Sequence, residues 1–568
     1  MLDYLYPSTQ RKIFVNRSRE LAHIEHAEKQ LLAEHPKNIS LFGLRRIGKT
    51  LLIKESMHRI LTRKQTVPVY MNLEEIVSSP DFFVVKYAGY LTYWLNGNGS
   101  NPADEYLELT SLISKAGKSG CKSLFDTVLL INTEFGKTFR DHNYLLNLAF
   151  NLPEKIAMEL DIKMMIFLDE FQVLDILSSS PQVKNPFSLF RNAVQNQNNT
   201  AYVVAGSMVS KMEQILLSHK EPLFLQFDTT KLEYFTREDS YELAKKLITT
   251  DSGNCISKEI LEEIYRHSRG HPFYTTALCE RINFYVDEYE HKLNKELVTQ
   301  AFLFELLSSG GRIHEFCRYM YDISLERARG YGMLKTVLLT LAEHDGLTLS
   351  ETSQAIGRKP ASTSKYLKWL VEVDLIRKKD NRYHFLDPVL CAWVGFTEKG
   401  IEIEEVPKKM VLDGLVSKLE EKYLRLSTEL GVAKESQIRE IMSGFKNQEI
   451  ARRLFGLDGD TKIRLPEFDT ISDYHSADGQ IEIDVLAEGP ENWAVEIKWK
   501  NKAATIKDVK RFFVKMEKIA EDMPKKKVYQ LWFISKNGFT KSALDFCGTN
   551  AIMTSSKDDV EEIMKRTR

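Results

Sequence analysis

Gly43-Leu-Arg-Arg-Ile-Gly48-Lys49-Thr50 spaces two glycines, a lysine and a hydroxyl as GxxxxGK[ST]. Glycines in such a turn let backbone N–H groups converge on phosphate oxygens, and a helix starting there points its positive end at them. Lys49 would reach the β- and γ-phosphates of a nucleotide, and the Thr50 hydroxyl would ligate Mg²⁺. Gly43, Arg45, Arg46, Ile47, Gly48 and Leu51 complete the candidate phosphate contacts. The pattern needs an acidic partner at a strand end, and Met164-Met-Ile-Phe-Leu168-Asp169-Glu170 supplies one. Asp169 would hold the Mg²⁺ shell, and Glu170 would polarise the water attacking the γ-phosphate. An apolar run ending in Asp-Glu also suits a strand meeting a helix cap; the phosphate loop upstream favours the catalytic reading.

A second constellation lies near the C-terminus. Gln480-Ile-Glu-Ile-Asp484-Val-Leu-Ala and Asn492-Trp-Ala-Val-Glu496-Ile-Lys498-Trp read as two strands joined by Glu488-Gly489-Pro490-Glu491. Period-2 alternation sets Ile481, Ile483 and Val485 on one face and Glu482 and Asp484 on the other. Asp484, Glu496 and Lys498 then converge. Two such carboxylates gather Mg²⁺ or Mn²⁺, and a lysine beside them can orient or deprotonate a water. A cross-strand Glu–Lys pair in solvent would give the same sequence.

Between the two, Leu349–Ile356 and Ala361–Val373 read as helices joined by a turn at Gly357–Pro360, and Leu375–Phe385 as a hairpin turning at Asp380-Asn381. Residues 358–382 hold eight basic residues against three acidic, a local net of +5. Ser362, Thr363, Lys365 and Lys368 on the second helix, with Lys359, Lys378, Lys379 and Arg382, are candidate DNA contacts. The same segment would also serve as a regulatory arm that never touches DNA.

These groups need elements to position them. Residues 18–35 have the periodicity of an amphipathic helix, with Leu21, Ile24, Ala27, Leu31 and Leu32 on one face. Asn38–Phe42, Val67–Asn72, Met164–Leu168 and Tyr202–Ala205 are buried-strand candidates alternating with helices, which predicts a parallel sheet covered on both faces. A helical insertion is expected over about 75–160, and helices over Thr236–Leu307. The 568 residues suffice for several domains, and 43% apolar with 28% charged residues excludes a largely disordered chain. A net charge of -1 leaves no global basic field, so nucleic-acid contact requires a local patch. No apolar run approaches a membrane span, the N-terminus lacks a signal core, and six scattered cysteines without a CxxC pair fit free thiols. A cytoplasmic protein with no membrane partner is the expectation.

Several further motifs carry a resemblance. Phe14-Val-Asn-Arg17-Ser-Arg-Glu20-Leu21, the Arg45-Arg46 pair in the phosphate loop, Val203-Val-Ala-Gly206-Ser207 and Gly270-His271-Pro272 together resemble the archaeal-type ATPases of the STAND class, relatives of AAA+ proteins. The resemblance implies ATP as cofactor, Arg17 near the adenine, Ser207 as a γ-phosphate sensor, and Pro272 in a helical lid that touches the nucleotide. Relatives often carry Pro-Leu-(aromatic)-Gly-Arg after the fourth strand, whereas this chain reads Pro222-Leu-Phe-Leu225-Gln226. Arg191 is the substitute candidate, though a solvated helix arginine is the plainer reading. The D…ExK hairpin resembles the restriction-endonuclease-like fold, which implies a further acidic ligand on a helix about 411–430, where Glu420 suits better than Glu421.

The expected fold is therefore a multidomain α/β protein. It comprises a P-loop parallel core (1–235), a helical lid (236–330), a winged helix-turn-helix (331–396), a linker (397–410) and a restriction-endonuclease-like α/β domain (411–568). The expected function is ATP hydrolysis coupled to DNA association and metal-dependent cleavage, with homo-oligomerisation as a further possibility. The alternatives are a STAND-type switch without nuclease activity and a DNA-translocating motor.

Overall fold

A computed structural model describes residues 4–97, 103–248, 256–326, 331–344, 346–397, 438–439, 441–457, 459, 462–475, 481–498, 503–522 and 529–567. Glu420, Glu421, their expected helix and the linker beyond Thr397 lie outside the described residues. The chain divides into two compact units: Met1–Phe302 with Glu372–Asp374, and Leu303–Val371 with Leu375–Arg568.

In the first unit, strands β1 (Ile39–Phe42), β2 (Val67–Asn72), β3 (Met164–Asp169), β4 (Thr200–Gly206) and β5 (Asp228–Lys231) form one parallel sheet in the order β2-β3-β4-β1-β5. β1, β3 and β4 are buried along their whole length, as near-continuous apolar runs in a parallel sheet should be. The edge strand β5 is Asp-Thr-Thr-Lys, half-exposed and polar, so hydrophobic patterning does not reveal it. Helix Ser18–Leu32 buries Leu21, Ile24, Ala27 and Leu31, the face its periodicity predicts. Between β2 and β3 the chain makes the expected helical insertion, including Pro80–Gly97, Lys122–Phe135 and His142–Leu160. Phe83, Tyr87 and Phe150 interlock in its core with ring centroids 5.3–6.2 Å apart.

In the second unit, Leu349–Ala355 starts from a Thr348 capping box with Glu351, and Pro360–Glu372 follows a turn in which Gly357 has φ 64°. A three-stranded sheet, β6 (Leu347–Thr348), β7 (Ile376–Lys379) and β8 (Arg382–Phe385), has the order β6-β8-β7. Asp380 and Asn381 both take positive φ, 51° and 60°, which gives the tight hairpin its twist.

The remaining strands are β9 (Glu449–Ala451), which pairs with β10 (Lys462–Arg464), and a mixed sheet of β11 (Thr470–His475), β12 (Glu482–Glu488), β13 (Asn492–Lys498), β14 (Tyr529–Ser535) and β15 (Met553–Ser556). β11, β12 and β13 pair antiparallel; β13, β14 and β15 pair parallel. Trp493, Trp532 and Phe455 fill one face, and Phe512, Met516 and Phe533 the other. The expected alternation in β12 does not hold. Ile483 packs with the Phe512 cluster and Val485 with the Trp493 cluster, because the β11–β12 register shifts between Ser472 and Tyr474. A bulge adds one residue and turns everything beyond it over, which single-strand periodicity cannot foresee.

Candidate functional site

The phosphate loop runs from the buried end of β1 into helix Lys49–Arg63. A Cβ on Gly43 would lie 2.7 Å from the Leu232 carbonyl, and Gly48 has φ 103°, so both positions need glycine. Lys49 is buried, and its ammonium donates to the Gly43 and Leu44 carbonyls at 2.8 Å each. Burial lowers its pKa to about 8, although Glu170 and Asp169 oppose the shift. The side chain rests on the loop where phosphate oxygens would otherwise receive it. Ile47 is buried and Leu51 packs partly against the core.

Asp169 ends β3. Its Oδ2 accepts from Thr50 Oγ1 at 2.6 Å and from the Tyr70 hydroxyl at 3.3 Å, and its Oδ1 from the Glu170 N–H at 3.0 Å. Burial raises its pKa, which the Thr50 hydrogen bond partly offsets. Glu170 takes a left-handed φ of 54°, which turns its side chain off the strand line. Glu170 Oε2 accepts from Ser207 Oγ at the end of β4 and from Gln172 Nε2, both at 2.6 Å. A buried ammonium, a hydroxyl and two carboxylates therefore meet at the carboxyl ends of three neighbouring strands. Lys49, Thr50 and Asp169 fit an Mg²⁺–triphosphate: one cation for the phosphates and two oxygen donors for the metal. Gln172 and Tyr70 carried no signal in the sequence, since neither belongs to a motif.

The outer residues do structural work around this centre. Arg17, with φ 60°, donates to the Ile47 carbonyl at 3.1 Å and the Glu233 carbonyl at 2.8 Å and lies 4.8 Å over the Phe235 ring. It ties the N-terminal helix to the phosphate loop. Arg46 stacks 4.5 Å over Phe273, the residue after Pro272, which begins helix Pro272–Tyr289. His271 is buried beside them; burial lowers its pKa to about 3, with its hydrogen bond to the Arg45 backbone opposing. Arg191 is exposed on its helix. Leu225 holds φ 59° and is 79% exposed, a glycine-type backbone where the resemblance would put glycine.

A phosphate loop closing a buried parallel strand, with Asp-Glu at the end of its neighbour, defines a P-loop ATPase. Residues 14–278 match the family described as an ATPase domain predominantly from Archaea. An uncharacterized protein of Methanocaldococcus jannaschii is 24% identical over 260 residues, 42% of this chain. The chain spans about half of that relative, 52% of its length. Among solved structures, a Walker-type ATPase of Pyrococcus abyssi is similar at 17% identity and a TM-score of 0.47, covering 69% of this chain and 99% of that one. The ORC2 protein of Aeropyrum pernix is similar at 13% identity and 0.40, covering 74% and 98%.

The candidate DNA contacts of the helix-turn-helix segment split into two groups. Lys359, Ser362, Lys365, Lys368 and Lys378 are exposed. Thr363, expected as a contact, is fully buried and donates to the Lys359 carbonyl at 3.2 Å, so it belongs to the core of the helix. Arg382 bonds the Gly346 carbonyl at 2.5 Å and Glu351 at 3.2 Å. Lys379 pairs with Asp484 at 2.5 Å.

At the C-terminal sheet Asp484 is 3% exposed, and its Oδ2 accepts from the Ile497 N–H at 2.6 Å. Burial and the Asp484 charge raise Glu496 to about 8, against the pull of Lys515 and Lys379. Lys498 does not join them. It pairs with Asp508 and reaches the Ala503 carbonyl at 3.4 Å, while Lys515 of helix Ile506–Asp522 takes Glu496 at 2.8 and 3.2 Å. Asp508, at the start of that helix, outcompetes the more distant carboxylates for the Lys498 ammonium. Among the described residues no group of three or more His, Cys, Asp or Glu side chains is poised for a metal. Two carboxylates holding two ammonium groups nonetheless have the donor set of a divalent-cation site. The described cysteines 121, 279, 317, 391 and 547 are buried, and no described helix is long and apolar enough to cross a membrane.

Proposed function

We propose that this chain hydrolyses ATP with Mg²⁺ at the phosphate loop, uses the turnover to govern a DNA-contacting winged helix, and carries a metal-dependent nuclease-like C-terminal domain. The observation that carries the ATPase reading is the linkage of Thr50 to Asp169 and of Ser207 to Glu170 around a buried Lys49. Lys49 neutralises the terminal phosphates, the Thr50 and Asp169 oxygens would hold Mg²⁺, and Glu170 takes the proton of the attacking water. Ser207 and Gln172 keep that carboxylate aimed. Mg²⁺, when bound, spreads the developing charge of the phosphoryl oxygens.

The exposed Lys365, Lys368 and Lys378 support duplex contact, and the paired Asp484 and Glu496 support a cation site. A second reading, a STAND-type switch, is favoured by one observation: Lys379 and Arg382 are engaged within the chain, as in a regulatory arm. Supercoiled plasmid incubated with Mg²⁺ or Mn²⁺, with and without ATP, separates the two. Cleavage lost in Asp484→Asn supports the nuclease; intact plasmid throughout, with steady ATP hydrolysis, supports the switch.

A further inference from the structure

Two ion pairs of opposite polarity join the β7–β8 hairpin to β12 and to helix Ile506–Asp522, all within the second unit. Lys379 Nζ lies 2.5 Å from Asp484 Oδ1, with the two side chains 16% and 3% exposed. One residue on, Asp380 Oδ1 accepts from Arg511 at 2.7 Å, on the same helix that supplies Lys515 to Glu496. At the positive-φ turn, neighbouring residues of opposite charge, Lys379 and Asp380, thus find oppositely charged partners on β12 and on that helix. A buried pair with one partner removed leaves an uncompensated charge, so Lys379 is held firmly while the hairpin is docked.

We propose that this hairpin is a latch in which the Lys379 ammonium stands where a divalent cation would bind Asp484 and Glu496, and that a duplex phosphate opens it by drawing Lys379 away. The inference rests on the cation-site reading above. Its logic is exclusion: one ammonium cannot serve both Asp484 and a phosphate, and a cation cannot approach a carboxylate oxygen that an ammonium occupies. Exposed Lys378 beside it, and Lys365 and Lys368 on the adjoining helix, name nucleic-acid backbone as the opener. Metal and duplex then bind with positive coupling, each raising the other's affinity by the same factor.

The test is titration calorimetry of Mn²⁺ into the full chain, without ATP. Lys379→Met should tighten Mn²⁺ binding by about tenfold, and Arg511→Ala, which loosens the hairpin without touching the carboxylates, by a few-fold. A 20-base-pair duplex should tighten Mn²⁺ in the wild type and leave the Lys379→Met affinity unchanged. Equal Mn²⁺ affinity in wild type, Lys379→Met and Arg511→Ala, at a site that Asp484→Asn abolishes, overturns the latch and leaves the cation site standing. No Mn²⁺ binding even in Arg511→Ala and Lys379→Met removes the cation site and the latch with it. Tightening by Lys379→Met with no effect of duplex on the wild type overturns the duplex as opener.

Discussion

Thr50 Oγ1 donates to Asp169 Oδ2 at 2.6 Å across 119 residues of sequence. The bond holds two metal-ligand candidates, one from the start of helix Lys49–Arg63 and one from the end of β3, at one point. Thr50→Val should therefore weaken nucleotide binding about tenfold in Mg²⁺ and leave it nearly unchanged in EDTA, as a fluorescent-nucleotide titration would read. An equal loss in both conditions would make Thr50 a packing residue.

Lys49→Ala should abolish tight nucleotide binding, because its ammonium is the cation this loop aims at the phosphates. Glu170→Gln should bind nucleotide normally and lose at least about 100-fold in turnover, since the amide accepts no proton. An unchanged rate in the Gln variant would reject the role given to Glu170.

Gln172 donates to the Glu170 carboxylate at 2.6 Å. Gln172→Ala should lower kcat by about tenfold with KM unchanged, and Gln172→Asn should lose as much, its amide falling a methylene short. A change confined to KM would mean that Gln172 acts on nucleotide binding and not on the carboxylate.

Asp374 gives a pH signature. Burial raises its carboxyl to about 6, while the Ser210 hydroxyl at 2.6 Å and N–H at 3.0 Å pull it down. The folded state thus holds a proton that the unfolded state has released, so its contribution is full below about pH 4 and lost as pH rises through 6. Asp374→Asn keeps the acceptor oxygen and removes the titration. Relative to the wild type the variant should gain up to about 3 kcal/mol between pH 4 and 7, read as a growing difference in thermal midpoint. A pH-independent difference would place the titration elsewhere.

Charge reversal at Lys365 and Lys368 should weaken duplex binding and flatten its salt dependence by about one unit of slope per lost phosphate contact. Affinity and slope equal to the wild type would make the helix-turn-helix a structural arm.

The core of the first unit was legible in the sequence because its strands are apolar on both faces and its loop chemistry is local. Gly43–Thr50 and Met164–Glu170 needed only spacing and flanking patterns. β5 was hidden because Asp-Thr-Thr-Lys is an edge strand whose pairing, not its burial, defines it. Lys498 was read into the carboxylate pair because strand alternation says which face a side chain leaves from, not which partner it finds. Asp508 and Lys515 both lie on a helix whose docking only the tertiary fold sets. Thr363 failed for a similar reason: a hydroxyl near a helix start reads as polar surface, yet this one bonds its own turn and faces inward.

The strand order β2-β3-β4-β1-β5 has a consequence for synthesis at the ribosome. β1 emerges first, yet its two sheet neighbours are β4 and β5, the last strands of the sheet to be made. The phosphate loop therefore hangs from a strand without a sheet neighbour until β4 has cleared the exit tunnel, and from a strand paired on one side until β5 follows, while the helical insertion can already pack on itself. A nascent chain that ends before β4 lacks the neighbour that holds β1 and its loop in place, so ATP has no built phosphate site to stabilise until β4 is made.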